Sequence, residues 1–248
     1  MADQRQDDFF VEGDSSFHTT HWSIVVGASQ PETRRRSLAL LCERYWMPLY
    51  AYLRRTGHSS HDAQDLTQSF FTTLLECDKC IAGADESRGR FRAYLLGSLK
   101  HFVANHRTQR RASKRGGGQV HLSLNYHAAE AWYGIEPVDT QTPESIFRRR
   151  WALSLLECVL NRLGAEYEAK GKGEIFQELK GCLTGNAVDI TYDQLAVQLS
   201  MSSGAVKTAA HRLRKRYREL LKAEISETVA SPDEVDDEIN QLLTALSG

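Results

Sequence analysis

"SSGAVKTAAHRLRKRYREL", residues 202–220, opens with two serines and a glycine and then fills with cations. Just ahead runs "DITYDQLAVQLSM", residues 189–201. Thr191 and Gln194 stand at capping-box spacing, so a short helix should begin there. Leu195, Ala196 and Leu199 give that helix an inward face, and "SMS" forms a tight turn. In the next helix Val206, Ala210, Leu213, Tyr217 and Leu220 recur every three or four residues and pack inward. That leaves Lys207, Thr208, His211, Arg212, Arg214, Lys215, Arg216 and Arg218 outside. Two short helices crossed over a small apolar core outline a helix-turn-helix, and residues 191–220 are read as one.

The physics of that motif assigns roles. The N-terminal part of the second helix enters a major groove. Ser202 and Ser203, at the helix start, would hold a phosphate on backbone N–H groups. Lys207, Thr208, His211 and Arg212 lie where side chains reach base edges or the backbone, and Lys215 and later cations contact phosphates. A basic amphipathic helix that binds protein or merely keeps the chain soluble is the alternative. The motif alone does not separate repressors, recombinases and other DNA-docking factors.

The cations are surprising in a chain of 248 residues with formal net charge -1. Charge is segregated. Arg88, Arg90, Arg92, Lys100, Arg107, Arg110, Arg111, Lys114 and Arg115 form one basic block without an acid, and Lys207 to Lys222 a second, interrupted only by Glu219. Both ends are acidic: Asp3, Asp7, Asp8, Glu12 and Asp14 at the start, and Glu224, Glu227, Asp233, Glu234, Asp236, Asp237 and Glu238 near the finish. Two basic blocks point to a polyanion partner, with solvated helix faces as the alternative; the acidic tail either folds over the second block and weakens DNA binding or is a packing or solubility helix. Hydrophobic residues at 41% and charged residues at 25% suit a globular protein. No apolar run approaches the ~20 residues that span a bilayer. The acidic N-terminus lacks a signal-peptide core, so a cytoplasmic location is expected, with five cysteines as reduced thiols.

Apolar residues recur at helical spacing nearly everywhere, so the fold class is all-α. Leu38, Leu41, Tyr45, Leu49 and Tyr52 form a stripe interrupted by Pro48, which predicts a kinked helix or two in series. Ala63, Leu66, Phe70 and Leu74 form a second stripe, and Phe91, Leu95, Leu99 and Phe102 a third. Residues 1–34 are read as an extension, 35–112 as a first helical domain and 113–143, with three consecutive glycines, as a flexible linker. A second helical domain follows at 144–222, with helices from Pro143 and over "GEIFQELKGCL" (173–183) ahead of the helix-turn-helix. An acidic tail, 223–248, carries a short helix capped by Ser231 and Pro232, with Val235, Ile239, Leu242 and Leu246 on one face.

"DAQDLTQSFFTTLLE", residues 62–76, decides between the functional classes. Asp62, Asp65, Gln68, Ser69, Thr72 and Glu76 share its outer side. DNA repels such a face, so a basic protein surface is the better partner, with a merely solvated face as the alternative. The stretch resembles region two of the bacterial sigma factors, especially the extracytoplasmic-function group of the sigma-70 family, on Asp62, Asp65, Leu66, Gln68 and Phe71. "FRAYLLGSLKHFVANHRTQRR", 91–111, resembles the promoter-reading segment that follows, and "YDQLAVQLSMSSGAVKTAAHRLRKRYREL", 192–220, resembles region four. The three segments match in order across about residues 35–222.

The resemblance implies a factor that binds core RNA polymerase at the clamp of the largest subunit through Asp62, Asp65 and Gln68. It implies that Tyr94, Phe102, Asn105, His106, Arg107, Arg110 and Arg111 hold unstacked bases of the minus-ten element, and that Ser202, Ser203, Lys207, Thr208, His211, Arg212 and Lys215 read the minus-thirty-five element as duplex. An anti-sigma factor would be a further partner of such a factor. His101 stands where many members carry a base-contacting asparagine, Ser69 where a glutamate is usual, and the "LP" signature ahead of region four is replaced by residues 162–185. No catalytic group, cofactor, membrane or small-molecule substrate is implied. Cys77 and Cys80 with His58 and His61 suggest zinc only weakly, and no metal is assigned. The four tryptophans, Trp22, Trp46, Trp132 and Trp151, are read as core anchors. The runner-up function is a helix-turn-helix regulator acting without polymerase, and the third a recombinase-like enzyme.

Overall fold

The computed structural model describes residues 22–28, 30, 32–77, 81, 84, 90–110, 124, 126, 130–131, 142–184, 191–229 and 231–247, without side chains at 22, 23, 26, 107–110 and 184. Among the described residues all regular structure is helical, and no helix is long and apolar enough to cross a membrane. The all-α expectation holds. The helices are α1 (Trp22–Gly27), α2 (Arg34–Arg55), α3 (Ser60–Glu76), α4 (Phe91–Arg110), α5 (Pro143–Glu168), α6 (Gly173–Leu179), α7 (Gly181–Thr184), α8 (Tyr192–Gln198), α9 (Ser203–Ser226) and α10 (Val235–Ser247). A 3₁₀ turn, Pro232–Glu234, leads into α10.

The described residues divide into two compact units, one drawn from 22–154 and 227–247, the other from 155–226. The division falls inside α5, past the 143/144 boundary read from the sequence, and the tail helix α10 belongs with the first unit.

The first unit is built on α2 and α3. Pro48 lies within α2, which continues unbroken to Arg55, so the alternative of two helices in series fails. Proline inside a helix costs about 3 kcal/mol through a lost hydrogen bond and a clash. The five residues after it, Leu49, Tyr50, Ala51, Tyr52 and Leu53, are all buried. Burial of each large side chain contributes about 1.5–3 kcal/mol, enough together to carry the helix through the proline. Ser59 caps α3, its Oγ accepting from the Asp62 N–H at 3.1 Å. At the other end Arg34 Nη2 donates to the carbonyls of Leu74 and Leu75, both at 3.3 Å, answering acceptors that the helix leaves unpaired. All three predicted stripes face the core, with Leu38, Leu41, Tyr45, Ala63, Phe70, Leu74, Phe91, Leu95 and Leu99 buried. Only Phe102 departs, being half-buried. The start of α5 adds Ile146, Phe147 and Trp151. Trp46 and Trp151 are the expected core anchors, whereas the side chain of Trp22 and the whole of Trp132 lie outside the described residues.

Part of the stretch read as linker docks on this unit. Tyr126 lies edge-on to Trp46 at 5.4 Å and tilted on Tyr50 at 5.4 Å, and the Glu130 carboxylate accepts from Tyr50 and from Arg54 Nε at 2.7 Å. The glycine run and the rest of 113–143 lie outside the described residues apart from 124, 131, 142 and Pro143, which opens α5.

In the second unit Leu155, Val159 and Leu163 of α5, Phe176 and Leu179 of α6, Leu195 and Ala196 of α8, and Val206, Ala210, Leu213, Leu220 and Ile225 of α9 form the core. A side chain at Gly164 would meet the Phe176 ring at 2.9 Å, so glycine is what lets α6 lie against α5. "GEIFQELKGCL" is not one helix: α6 and α7 abut at Lys180, whose own angles stay helical at φ -58, ψ -32. Glu224, read as part of the acidic end, is buried instead, 3.6 Å from Arg162 and accepting from the Cys158 thiol at 3.7 Å.

Three helices end the same way. After α2, His58 N–H bonds Leu53 O and Gly57 N–H bonds Arg54 O. After α5, Lys172 bonds Tyr167 and Gly171 bonds Glu168, and after α8, Met201 bonds Ala196 and Ser200 bonds Val197. This is the Schellman pattern, which places its central residue in the left-handed region. Gly57 and Gly171 take φ 91 and 65 without a Cβ penalty, while Ser200 takes φ 50 with one.

Candidate nucleic-acid and polymerase surfaces

The first candidate surface is the outer side of α3. Asp62, Asp65 and Gln68 follow one another at three-residue steps on neighbouring positions of the helix. Asp65 is the open one, with 54% of its side chain exposed and the His61 ring Nδ1 3.3 Å from its carboxylate. Asp62 and Gln68 are half-buried. Asp62 also accepts from Ser59 Oγ at 2.7 Å, so part of its carboxylate serves the start of its own helix, where a negative charge is favoured. Ser69 is half-buried and Glu76 exposed, as the outer side requires, but Thr72 is buried. The helical period alone leaves Thr72 in the outer arc, so a tertiary neighbour covers it.

The second lies along α4, where the sequence resemblance places base-holding residues. Tyr94 and His101 are seven residues apart, and His101 and Asn105 four, which aligns them along the helix. His101 and Asn105 are exposed and Tyr94 half-buried, its ring 6.1 Å from Phe91. Phe102 is less available than expected. Its ring stands edge-on to Phe70 of α3 at 5.5 Å and tilted on His106 at 5.5 Å, so one side belongs to the core. Arg107 and Arg110 lie in α4 with side chains outside the described residues, and Arg111 lies outside them altogether. Lys100 points to α5, 2.6 Å from Glu144, and this contact holds the Glu144 carboxyl below its usual range.

The basic block ahead of these residues is not open. Arg92 is buried, pairs with both oxygens of Glu238 on α10 and lies 4.2 Å over the Trp151 ring. Arg90 Nε is 2.6 Å from the same carboxylate, and both arginines donate to the Gln241 side-chain oxygen. The expectation that the acidic tail covers the second basic block is thereby corrected: its buried acid answers the first. Charge complementarity was legible in the sequence, but two basic blocks offered it equally.

The third surface belongs to the second unit. Thr191 Oγ1 accepts from Gln194 N–H at 3.3 Å while Gln194 Oε1 accepts from Thr191 N–H at 2.8 Å, the capping box that the spacing predicts. Lys207, Thr208, His211, Arg212, Lys215, Arg218 and Lys222 are exposed along one stripe of α9. Three expectations change in detail. Ser202 Oγ accepts from Ala205 N–H at 3.2 Å, so this serine caps α9 and uses one N–H proposed for phosphate, while Ser203 is half-buried. Arg214 turns to Tyr192 Oη at 3.2 Å instead of facing outward. Arg216 makes a two-bond fork to Glu166 at 2.8 and 2.7 Å, holding that carboxyl below its usual range, and reaches Glu219 at 3.2 Å. The fork ties α9 to α5, and charged residues facing a helix neighbour do this at lower cost than burying an unpaired cation.

Among the described residues no group of three or more His, Cys, Asp or Glu could hold a metal ion. Cys77, at the end of α3, is disulfide-bonded, which corrects the expectation of reduced thiols throughout, while Cys42, Cys158 and Cys182 are free. Cys80 lies outside the described residues.

Residues 41–113 match the family model for Sigma-70 region 2. The matched span takes in most of α2, all of α3 and all of α4, and so both the acidic outer side of α3 and the aromatic stripe of α4. The match covers 73 of the 248 residues, so it concerns this one helical domain and not the whole chain. No curated protein and no solved structure matches the chain.

Proposed function

We propose that this chain is a sigma factor of the extracytoplasmic-function kind, which binds core RNA polymerase and directs it to promoters in the cytoplasm. The observation that carries the reading is the coincidence of the region-2 match with two rows: on α3 an exposed Asp65 flanked by half-buried Asp62 and Gln68, and on α4 exposed His101 and Asn105 beside half-buried Tyr94, Phe102 and His106.

Each surface then has a task suited to its chemistry. Asp65, the open carboxylate, with Asp62 and Gln68 beside it, meets the basic clamp of the largest polymerase subunit, where complementary charge selects the partner and speeds the encounter. Tyr94, His101, Phe102, Asn105 and His106 hold unstacked bases of the minus-ten element. Stacking on an aromatic face is worth about 1–3 kcal/mol per base and strengthens only once the strands separate. With Phe102 anchored on Phe70, its exposed side is a fixed platform rather than a swinging one. Arg107, Arg110 and Arg111 supply cations toward the phosphates. In the second unit, α8, its turn and α9 act as a helix-turn-helix. Lys207, Thr208, His211 and Arg212 address the base edges of the minus-thirty-five element, while Ser202, Ser203 and Lys215 hold the backbone. Thr208 Oγ1 already donates to Gly204 O at 2.9 Å, which leaves its methyl and its lone pairs for DNA. The chain performs no bond chemistry in this reading; polymerase does.

Co-precipitation with core polymerase tests it. The wild-type chain should be retained, and the pair Asp65→Lys and Gln68→Lys should lose retention while still binding duplex DNA. A wild-type chain that binds duplex but is never retained would favour the second reading, a regulator that acts through the exposed stripe of α9 alone.

A further inference from the structure

The pairing of α10 with the start of α4 is more than a clasp between helices. Glu238 has 0% of its side chain exposed and lies between two guanidinium groups, those of Arg90 and Arg92. Two positive charges thus face one negative one, with the neutral Gln241 amide as the other acceptor. A guanidinium fork binds the paired oxygens of a phosphate with the same geometry that it offers a carboxylate. The Trp151 ring beneath Arg92 holds one fork in place. Two arginines that converge on one buried carboxylate, one of them stacked on an indole, make a built site for a phosphodiester.

The occupant is also weakly held. Of α10 only Glu238 and Leu242 are fully buried, and Leu243 is 54% exposed. Helices of its length, 13 residues, are marginal on their own in water. It therefore stays helical chiefly while docked, and exchange of its two acceptors for another pair would release it as a unit. Exposed Asp236 and Asp237 in its first turn would then repel the incoming strand, which favours complete departure over sharing.

We propose that Glu238 and Gln241 are stand-ins for a backbone phosphate of single-stranded DNA, and that α10 leaves Arg90 and Arg92 when the opened promoter strand reaches α4. The inference rests on the reading of α4 as the promoter-strand surface.

Hydrogen exchange of the full chain tests it in three states: alone, with core polymerase, and with core polymerase plus a promoter fragment whose minus-ten segment is single-stranded. The amides of α10 should exchange alike in the first two states and about tenfold faster or more in the third. Glu238→Gln in the full chain, which keeps the shape and removes the charge, should tighten binding to the single-stranded fragment severalfold, and adding Arg90→Ala and Arg92→Ala should cancel the gain. Unchanged protection of α10 in the third state overturns the inference. Loss of protection with core polymerase alone also overturns it, since α10 would then answer to the polymerase surface. Retention of the chain by polymerase, recorded in the same samples, reports on the sigma-factor reading separately: a complex that forms and opens while α10 stays protected defeats only the present inference.

Discussion

Ser200 is the residue at which local chemistry and fold disagree most plainly. It takes the left-handed position that Gly57 and Gly171 take in the other two Schellman turns. A Cβ there costs roughly 1–2 kcal/mol, partly offset because glycine is more flexible when unfolded. Ser200→Gly should therefore raise stability by about 0.5–1 kcal/mol, read as a higher Tm with duplex binding unchanged. Glu166 makes the opposite kind of contribution. Its fork to Arg216 lowers its pKa from the ordinary 4.5, so the stabilisation is fully present above that value and is lost as pH falls through the depressed one. Glu144 beside Lys100 behaves alike in the first unit. Thermal stability should hold on acidification to about pH 5 and drop below it, and Glu166→Gln should lower Tm at neutral pH and flatten that drop. The turn at 200–202 was legible in the sequence, but neither the left-handed angle of Ser200 nor the Arg216 fork was. A left-handed residue is revealed by backbone angles, and Arg216 reads as one more outward cation until α5 is seen opposite it.

Element by element, the sequence was a better guide. The stripes of α2, α3 and α4 and the capping box of α8 follow from spacing alone, because helix period and cap chemistry are local. Thr191→Ala should cost about 1 kcal/mol through the lost cap, visible as faster exchange in α8. Leu213→Ala, which empties a fully buried position of α9, should cost about 2–5 kcal/mol and weaken duplex binding through the loss of core packing. Lys215→Ala, at an exposed site, should leave Tm unchanged, weaken duplex binding evenly across sequences and reduce the salt slope by about one. What spacing could not give is the tertiary fate of an outer face. Thr72 is covered, Phe102 shares its ring with Phe70, and α10 docks on one of two basic blocks that its acids would suit equally.

At the scale of the molecule, two helical units carry three surfaces of different chemistry: an acidic row on α3, an aromatic and polar row on α4, and a cationic stripe on α9. Single-sign clusters on separate elements allow one chain to hold a protein and DNA at once, since each rejects the other's partner. The central claim is that this chain turns core polymerase into a promoter-specific enzyme. Run-off transcription from a genomic promoter library with purified core polymerase tests it most directly. The account predicts defined transcripts that require the chain and vanish with Asp65→Lys and Gln68→Lys, while that variant keeps its duplex affinity. Transcription no greater than that of core polymerase alone, from any promoter in the library, would contradict it.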